Sequence, residues 1–85
     1  MQIDFCGPTI IASDGSVSHR ARIDGKIIAI RISEEALQDV NPPHALDDPI
    51  SQFEANSDRL LSIAENKICN GLVEGEVVWV RTGDL

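Results

Sequence analysis

Residues 17–32 read VSHRARIDGKIIAIRI, and the Asp24-Gly25 pair at their centre decides the fold. Between two strand-forming runs, Asp-Gly favours a type I′ turn, because both central residues must take positive φ. A two-residue loop then fixes the register. Ile23 faces Lys26, Arg22 faces Ile27, Ala21 faces Ile28, Arg20 faces Ala29 and His19 faces Ile30. Side chains alternate between the faces of a strand. One face therefore carries Val17, His19, Ala21, Ile23, Ile28, Ile30 and Ile32, and is the expected core face. The other carries Ser18, Arg20, Arg22, Ile27, Ala29 and Arg31.

On the N-terminal side, Asp14-Gly15 is a second turn signal, so a strand near 9–13 is expected beside 16–23 and 26–32. Read as another two-residue loop, it puts Ile10 and Ala12 on the core face, and Thr9 and Ile11 on the outer one. On the C-terminal side the period changes after Ile32. Ser33 is an expected N-cap, and Glu34 and Glu35 favour the positive end of the helix that follows. That short helix must end before Pro42-Pro43. Asp48-Pro49 starts a second helix, along which Ile50, Phe53, Ser57, Leu60, Leu61, Ala64 and Ile68 fall on one stripe. Asn70-Gly71 stops it, giving one long helix over about 49–69. After a Glu74-Gly75 turn, GEVVWVRTG reads as a last strand over 76–82, with Val78 and Val80 alternating with Val77, Trp79 and Arg81. The expected fold is α+β, in the order β-β-β-α-α-β, an antiparallel sheet with a short and a long helix packed on one face.

Residues 1–85 make one domain. A chain this short buries only about 60–65% of its unfolded surface. The hydrophobic fraction of 42% and the charged fraction of 25% are those of a globular protein, not a disordered one. Cys6 and Cys69 form no CxxC pair, too few thiols for a secreted disulfide scaffold. The start MQIDFCGPTIIASD lacks a basic stretch and a long apolar run, so neither a signal peptide nor a membrane span is expected. A cytoplasmic location follows. The net charge is −7 and unevenly placed. Residues 1–32 hold four basic and three acidic side chains, residues 33–85 three basic and eleven acidic. The second half repels nucleic acid at long range.

Catalytic signatures are missing. There is no GxGxxG, GxxxxGK[ST] or HExxH, and Cys6 has no nearby basic residue in sequence to lower its pKa. No catalytic residue, metal ligand or cofactor is assigned. His44 with Asp47 or Asp48 is the only local ligand cluster, in a loop where polarity and capping already account for the acids. His19 points inward, where a half-buried histidine with one satisfied hydrogen bond is the ordinary outcome. The helix pair lacks the short turn and basic second helix of a DNA-binding helix-turn-helix.

The stretches DGKIIAIRISEEALQD, FEANSDRLLSIAENKI and the closing VRTGDL resemble a bacterial domain-of-unknown-function family, fourteen eighty-eight in words. The resemblance covers nearly the whole chain and rests mostly on structural positions. Ser57-Asp58-Arg59 departs from the family's arginine placement, and His19 stands where a larger apolar residue is expected. The resemblance implies a small single-domain α+β protein, with no activity or site residues to carry over.

The outer sheet face is then the surface to test. Ile11, Arg20, Arg22, Ile27, Ala29, Arg31 and Trp79 form the expected interface. Charge-rimmed apolar patches mark contact sites, and Trp and Arg are frequent anchors. The leading expectation is protein-protein contact, most simply a homodimer, with no membrane, metal or cofactor involved. One alternative is an RNA- or anion-binding module using Arg20, Arg22 and Arg31, though RNA-binding sheets usually present more aromatics. A small enzyme built on Cys6 or His19 is the other.

Overall fold

A computed structural model of the chain describes residues 2–40 and 48–85. Asp24 and Gly25 take φ of 50° and 88°, as a type I′ turn requires. They join β2 (Val17–Ile23) to β3 (Lys26–Ile32) in the expected register, Ile23 opposite Lys26 through Val17 opposite Ile32. The isoleucine face is buried: Val17, Ala21, Ile28, Ile30 and Ile32 are in the core.

The first hairpin differs from its expected form by one residue. β1 (Ile3–Ile11) pairs with β2 so that Ile11 faces Val17 and Ile10 faces Ser18. Ala12 N–H donates to Ser16 C=O (2.8 Å) and Gly15 N–H to Ala12 C=O (3.0 Å). The loop is thus three residues, Ser13 to Gly15, with Gly15 at φ 85° supplying the left-handed position. A one-residue slip exchanges the faces. Ile10 lies on the outer face and Ile11 on the core side, the reverse of the expectation. β1 also starts at Ile3 rather than near Thr9. Gly7, Pro8 and Thr9 together oppose His19 in a bulge, and the Gly7-Pro8 peptide is cis. Proline has no N–H to give a ladder and is accepted in an edge strand or bulge.

Ser33 caps α1 (Glu34–Val40), its Oγ accepting from Ala36 N–H at 3.1 Å. Pro42-Pro43 and the rest of 41–47 lie outside the described residues. Asp48 caps α2 (Pro49–Ala55) through Ser51 N–H, again at 3.1 Å. The expected long helix is broken at Asn56, and α3 (Ser57–Cys69) follows. The Asn56 side-chain amide and its backbone N–H both donate to Gln52 C=O, at 2.9 and 3.2 Å. An asparagine bonded back to the preceding turn competes with helix continuation. The stripe survives the break, because Phe53, Leu60, Ala64 and Ile68 are all buried. Gly71, at φ 72°, ends α3 in a Schellman motif: Leu72 N–H donates to Lys67 C=O and Gly71 N–H to Ile68 C=O.

β4 (Val77–Val80) runs parallel to β3, so the sheet is mixed in the order β1-β2-β3-β4 and not wholly antiparallel. The described helices carry the chain back to the start of β3, and Gly75 and Glu76, both at positive φ, turn it into β4. Ala29 N–H donates to Glu76 C=O (2.9 Å), fixing the parallel entry. Strand direction follows the length of the crossover, which local turn signals do not encode. Val78 and Val80 are buried as expected. The strand ends two residues early. Asp84 Oδ2 accepts Arg81 N–H at 2.8 Å and pulls Thr82–Asp84 into a 3-10 helix. Among the described residues the order is β-β-β-α-α-α-β before the closing 3-10 helix, an α+β fold whose described α-helices all contribute to the core on the isoleucine face.

Candidate interaction face

The register lays out the outer face in rows. Ile10, Ser18, Arg31 and Trp79 form one, Cys6, Arg20, Ala29 and Val77 the next, and Asp4, Arg22 and Ile27 the third. Ile10 is 50% exposed and Ile27 42% exposed. Arg20 and Arg22 are exposed, whereas Ala29 and Trp79 are half-buried. Among the described residues, neither the Arg20 nor the Arg22 guanidinium has a hydrogen-bond or ion-pair partner. Six of the expected interface residues therefore share this face, with Ile10 in the place assigned to Ile11.

Arg31 is held differently. Its Nε and Nη2 donate to Ser16 Oγ at 3.1 and 2.8 Å, and Nη2 reaches both Asp14 oxygens at 3.2 Å. Ser16 Oγ in turn donates to Asp14 at 2.6 Å. Hydrogen bonds from Ser16, and then the Arg31 charge, hold the Asp14 carboxyl below its usual range. The Arg31 guanidinium also packs on the Trp79 ring, 5.0 Å from its centroid, and that of Arg81 lies at 4.9 Å.

Composition and spacing missed the structure at the β4 edge. Lys67 Nζ donates to Trp79 C=O at 2.7 Å and to Asp84 Oδ2 at 2.8 Å. The Lys67 bond leads the effects that lower the Asp84 pKa. Beside this network lies a cavity of about 150 Å³, lined by Lys67, Leu72, Glu74, Val77, Trp79 and Arg81. It brings α3, the following loop and β4 together, so only the parallel strand could reveal it.

Inside, His19 meets the expectation of a half-buried histidine with one hydrogen bond. Its Nδ1 is 2.9 Å from Thr9 Oγ1, and its ring centroid is 5.2 Å from that of Phe53. Burial pushes its pKa down. Cys6 sits opposite Arg20 on the outer face, half-buried, and Cys69 is exposed at the end of α3; both are free thiols. His44 and Asp47, the candidate ligands, fall outside the described residues. Within those residues no three metal-ligating side chains cluster, and no helix is long and apolar enough to cross a membrane.

Among the described residues, the outer-face side chains without a hydrogen bond or ion pair include the Arg20 and Arg22 guanidiniums, the Asp4 carboxylate and the Cys6 thiol, beside exposed isoleucines. No family model, curated protein or solved structure matches the chain.

Proposed function

We propose that the chain is a protein-contact module of the bacterial cytoplasm, acting through the outer face of its sheet. The observation that carries this reading is a sheet face that no described helix or strand covers, exposing Ile10 and Ile27 beside Arg20 and Arg22, unpaired among the described residues. Apolar patches set among charges are the usual mark of protein contact. The free thiols support a reducing compartment, and the family resemblance supports a bacterial source. Anion binding through three arginines finds less support, since Arg31 is committed to Asp14 and Ser16. A thiol enzyme finds less still, since no described base bonds to Cys6. A second copy of the chain is one candidate occupant.

The test is a photo-crosslinking residue placed at Ile27, with the exposed helical position Glu65 as control. We expect discrete adducts in cells from position 27 only, with masses that separate a second copy from another protein. Equal or absent crosslinking at the two positions would remove the outer face as the interface.

A further inference from the structure

The charges on the outer face say what kind of partner fits. Arg20, Arg22, Arg31 and Arg81 stand there against Asp4, opposite Arg22, and Glu74 at the cavity, while Asp14 is taken by Arg31. The chain as a whole is at −7. A symmetric contact would lay this face on its own copy, arginines against arginines, and unmatched like charges oppose such docking. Nucleic acid fits poorly as well. Base stacking needs open aromatic faces, and the Trp79 ring already carries two guanidiniums. A polyanion also meets the repulsion of the whole chain.

An acidic polypeptide needs no open aromatic face and sets carboxylates, not arginines, against the arginines; a short segment with few carboxylates also meets less of the −7 chain's repulsion than a polyanion does. Arg20 lies two strands from Val77, about 10 Å across the sheet, which an extended segment spans in a few residues. The 150 Å³ cavity at Val77 and Trp79 is below the roughly 300 Å³ of a small-molecule pocket, and its size suits one side chain. We propose that the outer face binds an acidic segment of a different protein, its carboxylates on Arg20 and Arg22 and one apolar side chain in the cavity beside Trp79. This rests on the outer face being a protein interface, and it names the partner's chemistry.

The test is a selection from a random dodecapeptide library on the whole immobilised chain. We expect enriched sequences rich in Asp and Glu around an aromatic or branched apolar residue. A synthesised peptide from that pool should lose at least about tenfold in affinity for Arg20→Glu/Arg22→Glu, at unchanged melting temperature. Leu72→Trp, which fills the cavity from its exposed rim, should weaken the same peptide. Neutral or basic sequences, no enrichment, unchanged affinity in either variant, or tighter binding of poly(U) would overturn the inference. Dimerisation of the free chain abolished by Arg20→Glu/Arg22→Glu would overturn it too. Crosslinking at Ile27 that persists in any of these cases keeps the interface and removes only the acidic partner.

Discussion

His19 is expected to make the fold sensitive to mild acid. It faces the core, bonded to Thr9 and packed near Phe53, and burial lowers its pKa from the ordinary 6.5. A base with a depressed folded pKa takes its proton first in the unfolded chain. Its contribution is therefore complete above about pH 6.5 and is lost as pH falls towards the folded value. Carboxylates such as Asp14 and Asp84 add their loss only below about pH 4, where their own depressed pKa values lie. Urea midpoints at pH 7.5 and 5.0 should fall for the natural chain and stay level for His19→Leu; equal slopes would assign the dependence elsewhere. The inward position of His19 was legible because Asp24-Gly25 forms the two-residue turn that Asp-Gly favours, which sets the β2–β3 register. Ile11 was misplaced because Asp14-Gly15 closes a three-residue loop with Gly15 in the left-handed position rather than the two-residue loop that Asp-Gly favours, and the difference is a whole face.

The elements show the same limit. Caps were readable, since Ser33 and Asp48 each bond the N–H three residues ahead. Strand direction was not, nor was the Asn56 break, because hydrophobic spacing continues through it. The parallel β4 leaves Trp79 C=O facing away from β3, where Lys67 Nζ meets it. A free strand edge invites pairing with other chains, and a lysine placed there blunts it. Lys67→Met takes the donor from both Trp79 C=O and Asp84, and should cost about 1–3 kcal/mol in urea unfolding. A change within about 0.5 kcal/mol would mean that water replaces the ammonium without loss.

At the scale of the molecule, a four-stranded sheet packs three described α-helices on one side, and no described helix or strand covers the other. The described helices carry Glu34, Glu35, Asp39, Glu54, Asp58 and Glu65 behind that sheet, and the unpaired cations Arg20 and Arg22 stand on it. The separation was readable from charge placement alone. The cavity beside Trp79 was not, because its lining comes from segments that meet only after the crossover. The chain has a single tryptophan, and it lies on this face. Its emission thus reports directly on whether the face is covered. Titration of an acidic peptide from the library selection, with binding followed independently by anisotropy, should shift Trp79 emission to shorter wavelength and saturate in step with binding. Saturable binding that leaves the emission unchanged would place the contact elsewhere and contradict the account.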